Sequence, residues 1–144
     1  ITIEELVNRA LSEVNYKLAK YQLVLNLSDK EKYISVDADK MVRVLVNLMM
    51  NSIEAMPDGG TLTISTCLQP HGERNYLFLS ITDTGAGIPE EDLERIEHPF
   101  YTTKSRGTGL GLSICRKIID AHKGTLWLRS QPGKGTAAEI GVPV

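Results

Sequence analysis

Apolar positions along the chain repeat with two periods, and the changes of period mark its elements. In residues 2–20, Leu6, Ala10, Val14 and Leu18 fall at successive i+4 steps, which predicts an amphipathic helix with Thr2 able to cap it. Tyr21 to Leu27 alternates, placing Leu23, Leu25 and Leu27 on one face of a strand, and Tyr33 to Val36 reads as a second short strand. Asp37 or Asp39 then caps a long helix running to about Met56, where Pro57-Asp58-Gly59-Gly60 stops it. Thr61–Cys67 and Tyr76–Thr82 are β-branched and aromatic runs separated by a polar stretch, Gln69 to Asn75, and predict neighbouring antiparallel strands. A last helix is expected over Leu110–His122, followed by strands over Thr125–Ser130 and Thr136–Val142 joined at Pro132-Gly133. Helices and strands mixed in this order predict an α/β (α+β) unit, a mixed sheet with helices on one face.

The long helix has two distinct stripes. Met41, Val44, Leu45, Leu48, Met49, Ser52 and Met56 share the broad apolar one, the expected core. Lys40, Arg43, Asn47, Asn51 and Glu54 cluster on the other. Asparagine is a poor interior helix former, so two of them at i, i+4 gain nothing locally. An asparagine oxygen is, however, a hard neutral ligand for magnesium, which usually arrives with phosphates.

Between the second strand pair and the last helix lies a glycine-rich run, residues 83–111, opening with Asp83, Gly85 and Gly87 and closing with Gly107, Gly109 and Gly111. Glycine lets backbone N–H groups approach a ligand closely, and a helix start after the second cluster adds free donors, so the run predicts a phosphate cradle.

With 144 residues the chain is read as one domain large enough to bury a core. A net charge of −2 gives no electrostatic case for nucleic acid or an anionic membrane surface. Cys67 and Cys115 have no paired spacing and read as buried reduced thiols of a cytoplasmic domain. No long apolar run is present, although a membrane-anchored parent protein stays compatible with the sequence.

Five segments together resemble a known family. Asn47-Leu-Met-Met-Asn51-Ser-Ile-Glu-Ala55, Asp83-Thr-Gly-Ala-Gly87, Pro99-Phe-Tyr-Thr-Thr-Lys104, Gly107-Thr-Gly-Leu-Gly-Leu112 and Gly133-Lys-Gly-Thr136 follow the order and approximate spacing of the boxes of sensor histidine kinases. The chain resembles their catalytic and ATP-binding domain, in the GHKL superfamily that also holds gyrase and MutL. That resemblance implies the Bergerat fold, a two-layer sandwich of about five mainly antiparallel strands and three main helices, with an ATP lid between the glycine clusters.

The resemblance also implies residue roles, with ATP and magnesium as cofactors. Asp83 would accept a hydrogen bond from the adenine amino group, with Gly85 and Gly87 bending the backbone against the base and Ile88 and Ala55 as apolar neighbours. Asn51 matches the magnesium ligand, and Asn47, one turn earlier, would face the phosphates. Thr136 corresponds to a hydroxyl near the adenine, though threonine is also an ordinary strand former. In the lid, Thr102 and Thr103 lead to Lys104, the phosphate candidate, while Arg106 reads equally as solvated. Gly107, Thr108, Gly109, Leu110 and Gly111 would supply backbone donors, with Leu112 alongside them. Asn47 and Lys104 are the residues assigned to catalysis.

The hydrolysing relatives carry a glutamate where this chain has Asn47, and an amide cannot take a proton from water near neutral pH. Glu54 lies beyond Asn51 and is a poor substitute. His71, His98 and His122 have none of the helical His-Glu or His-Asp context of the family's phosphoacceptor. The expected function is therefore donation of the γ-phosphate of Mg-ATP to a histidine on a separate dimerisation domain of the same parent, with a response regulator downstream. A GHKL-type ATPase and a serine kinase of the anti-sigma type are the alternatives, and the isolated domain is expected to be a monomer.

Overall fold

The long helix forms where the two-stripe pattern places it. In the computed structural model, which describes residues 1–93 and 111–144, α2 spans Ala38–Glu54, and Asp37 caps it by accepting from the Lys40 N–H at 3.1 Å. Met41, Val44, Leu45, Leu48, Met49, Ser52 and Met56 are all buried. At its other end the Tyr21 hydroxyl reaches the carbonyls of Ile53 (3.2 Å) and Met56 (2.9 Å), which also accept the backbone N–H groups of Met56 and Gly59.

Helix α1 covers Ile3–Val14, with a reciprocal cap between Thr2 and Glu5, and continues as one 3₁₀ turn over Asn15–Lys17. Strand β1 (Tyr21–Leu27) precedes α2; β2 (Gly60–His71) and β3 (Arg74–Asp83) follow it. A short helix α3 (Glu90–Leu93), helix α4 (Gly111–Ala121) and strands β4 (Thr125–Gln131) and β5 (Gly135–Pro143) complete the described chain. The five strands form one open sheet in the order β1-β2-β3-β5-β4, parallel between β1 and β2 and antiparallel elsewhere. Residues from α1, α2 and α4 join Leu62, Ile64, Leu77, Leu79, Ile81 and Ile140 of the sheet in one core, the expected two-layer sandwich.

Three local expectations are corrected. Tyr33 to Val36 is not a strand: Tyr33 makes a single antiparallel bridge to Thr2, because backbone bonds from Ile3 to Lys32 and from Ile34 to Ile1 tie this segment to the start of α1. The polar stretch Gln69 to Asn75 is not a long loop either. The ladder runs on to His71↔Arg74, and Gly72, with φ of 64°, takes the first position of a two-residue turn, where a type II′ turn favours glycine. Leu23 and Leu25 do share a face, but at the outer edge of the sheet they stay 37% and 41% exposed.

Candidate functional site

Asp83 is the last residue of β3 and is only 4% exposed. Its Oδ1 accepts two backbone N–H groups, from Gly85 at 2.9 Å and from Thr136 at 3.2 Å. Among the described residues its Oδ2 accepts no hydrogen bond. A carboxylate fixed through one oxygen therefore offers the other to a ligand that carries a donor.

The turn after Asp83 is held from both sides. Ala86 donates to the Ala55 carbonyl at the end of α2 (3.4 Å), and Gly133 donates to the Ala86 carbonyl (2.6 Å) from the β4–β5 connection. The Ile88 N–H donates to Ser130 Oγ at 2.6 Å. Gly87 has a φ of 76°, and any Cβ there would meet the Gln131 carbonyl, so only glycine fits. A cleft of about 250 Å³ opens beside these strand ends, but Thr82, Arg129 and Ala137 in its lining alternate with Asp83, Ser130 and Thr136 and so point their side chains to the opposite face of the sheet. Asp83, Gly85, Ala55, Ile88 and Thr136 are thus brought together through one turn.

Asn47 and Asn51 lie one turn apart on α2, both half-buried. Asn47 faces α4, where its side chain is a hydrogen-bond partner of Cys115. Burial pushes the Cys115 thiol up to about 11, partly offset by the Asn47 bond and by the positive charge of Arg43, and the thiol itself points at the Val44 carbonyl (3.9 Å). Cys67, by contrast, is only half-buried, and both cysteines are free, so the expectation of two buried thiols holds for Cys115 alone. Gly111 and Leu112 open α4. Thr102, Thr103, Lys104, Gly107, Thr108, Gly109 and Leu110 lie outside the described residues, as do His98, the Phe100-Tyr101 pair and Arg106.

Among the described residues no group of three His, Cys, Asp or Glu side chains could hold a metal ion. The polar stripe of α2 offers the amide oxygens of Asn47 and Asn51 beside the Glu54 carboxylate, a set that suits magnesium carried in by phosphates and water rather than caged by the protein. His122 acts at an element junction: its Nδ1 lies 2.8 Å from the Ile118 carbonyl and its Nε2 accepts from the Asp37 N–H at 3.2 Å. Ser130 is the site residue that the sequence reading missed. Its only signal was an in-register place opposite Thr136 across the β4–β5 hairpin.

The family described as histidine kinase-, DNA gyrase B-, and HSP90-like ATPase matches residues 36–144. Sporulation kinase E of Bacillus subtilis is 41% identical over 88% of this chain and 17% of its own length. Sensor histidine kinase ZraS of Escherichia coli is 33% identical over 100% of this chain and 30% of its own. The catalytic domain of histidine kinase ThkA superposes with a TM-score of 0.87 at 32% identity, covering 99% of this chain and 93% of that one. The chain spans less than a third of the length of both of these curated relatives. No helix among the described residues is long and apolar enough to cross a membrane.

Proposed function

The chain belongs to the histidine kinase-, DNA gyrase B- and HSP90-like ATPase family, and from that premise we propose that it binds Mg-ATP and donates the γ-phosphate to a histidine on a separate helical domain, with a response regulator as the later acceptor. The observation that carries this reading is Asp83, a buried carboxylate with one oxygen saturated and one presented. A buried acceptor takes the adenine amino group and leaves a keto group facing a lone pair, which rejects guanine.

In this reading Asp83 reads the base, Asn51 contributes an oxygen toward magnesium, and Gly111 at the start of α4 points backbone donors at phosphate. Bound ATP supplies the phosphoryl group, and magnesium neutralises its charge. The protein's own task is positioning, which is most of what phosphoryl transfer asks of an enzyme. Asn47 stands where the hydrolysing relatives carry a glutamate base, which supports transfer to a stronger nucleophile over hydrolysis. Lys104 completes the assignment as the phosphate-binding cation that the resemblance implies.

Calorimetric titration tests the binding step. ATP and ADP should bind in the presence of magnesium and GTP should not, and Asp83→Ala should weaken ATP and ADP alike. GTP bound as tightly as ATP would contradict the assignment.

A further inference from the structure

The β-ladders set Asp83, Thr136 and Ser130 in one cross-strand row: Ser130 pairs with Thr136, and Asp83 follows Thr82, the partner of Ala137. Ser130 Oγ has three polar neighbours, the Ile88 N–H at 2.6 Å, the Gly135 carbonyl at 3.1 Å and Thr136 Oγ1 at 2.8 Å. A hydroxyl has one proton and two lone pairs. An amide N–H can only donate and a carbonyl can only accept, so the Ser130 proton goes to Gly135, and its lone pairs take the Ile88 N–H and the Thr136 hydroxyl proton. The reverse arrangement, Ser130 donating to Thr136, would give up the bond to Gly135.

Thr136 is then a pure acceptor on the face of the sheet that it shares with Asp83. Two acceptors in adjacent strands fit a ligand edge that brings two hydrogens, an exocyclic amino group. They disfavour a keto oxygen at the same place, which would meet lone pairs on both sides. We infer that Ser130 is a positioning residue for base selectivity: by holding the Thr136 proton and the Ile88 N–H at once, it makes Thr136 an acceptor and excludes 6-keto purines from the site. The inference rests on the reading of Asp83 and its neighbours as the adenine site.

Titration of the wild type and of Ser130→Ala, Ser130→Thr and Thr136→Val with ATP and inosine triphosphate tests it, because the two nucleotides differ at the amino-to-keto position. In Ser130→Ala the freed Thr136 hydroxyl can rotate and donate, so the preference for ATP should fall about tenfold, the worth of roughly one hydrogen bond, through weaker ATP and stronger inosine triphosphate binding. Ser130→Thr, which keeps a hydroxyl, should restore it. Adding Ser130→Ala to Thr136→Val should change the preference no further, since the proton being positioned is gone. A merely structural serine would weaken both nucleotides in parallel, and an unchanged ratio in Ser130→Ala overturns the inference while leaving the adenine site intact. If Ser130→Ala does not fold, the ratio in Thr136→Val decides: a wild-type ratio there overturns the inference. A wild type that binds both nucleotides alike overturns the site reading and this inference with it.

Discussion

The proposed function gives the two oxygens of Asp83 separate duties, and substitutions can separate them. Asp83→Ala removes the acceptor of two backbone N–H groups as well as the ligand contact, so it should lower stability by about 1–3 kcal/mol besides losing ATP. Asp83→Asn keeps an oxygen for those N–H groups but turns an NH₂ toward the ligand. It should melt near the wild type, weaken ATP at least tenfold by facing donor with donor, and improve inosine triphosphate relative to ATP. Undiminished ATP affinity in Asp83→Asn would show that Oδ2 reads no base. The thiols offer a second check. The Cys115 thiol, pushed up to about 11 by burial, should resist iodoacetamide at pH 8 until denaturant is added, whereas half-buried Cys67 should react in the folded protein. Because the folded thiol holds its proton past the ordinary value of 9.0, stability drawn from it is present at lower pH and drains away between about pH 9 and 11. At this scale the motif made Asp83 and its glycines legible. Ser130 was not, since a serine in a strand has no local pattern and its role comes from a register set by two other strands.

Elements are held by contacts whose cost can be isolated in pairs. Gly87 and Gly133 have nearly equal positive φ, 76° and 78°, yet a Cβ at Gly133 meets nothing within 4 Å while one at Gly87 runs into the Gln131 carbonyl. Gly87→Ala should therefore lower the melting temperature clearly more than Gly133→Ala, the backbone strain being common to both. Equal losses would mean that the turn after Asp83 is not pinned against β4. The caps predict an acid response. Backbone N–H donation, from Lys40 to Asp37 and from Thr2 to Glu5, holds both carboxyls below their ordinary values of 3.8 and 4.5. Their stabilisation is thus complete above those values and lost as pH falls through the lowered ones. Thermal melts should weaken below about pH 4, and less steeply in Asp37→Asn, which still caps but no longer titrates. Element order and α2 with its buried stripe were legible because a 3.6-residue period is a local signal. The hairpin turn at Gly72 and the fate of Tyr33 were not, because each depends on a partner segment: the ladder continuing to His71↔Arg74, and the bonds joining residues 32–34 to the start of α1.

At the scale of the whole molecule, the helices cover one face of the sheet, and the site sits where the ends of α2, β3, β4 and β5 meet. In the proposed reading that placement supplies a base reader, amide oxygens and a helix start, while Asn47 gives no base for water, and no described histidine has the setting of a phosphoacceptor. His71 ends β2, and His122 bridges the end of α4 to the start of α2. The chain alone should accordingly release negligible phosphate from Mg-ATP and take no label itself. The direct measurement is transfer of radiolabelled γ-phosphate from ATP, offered to this chain with and without a histidine-bearing helical dimer from the same parent. Label that appears on the dimer only when the chain is added, labile in acid and stable in base as a phosphoramidate is, is the predicted result. Rapid phosphate release by the chain alone, or an acid-stable label of the phosphoserine kind, would contradict it.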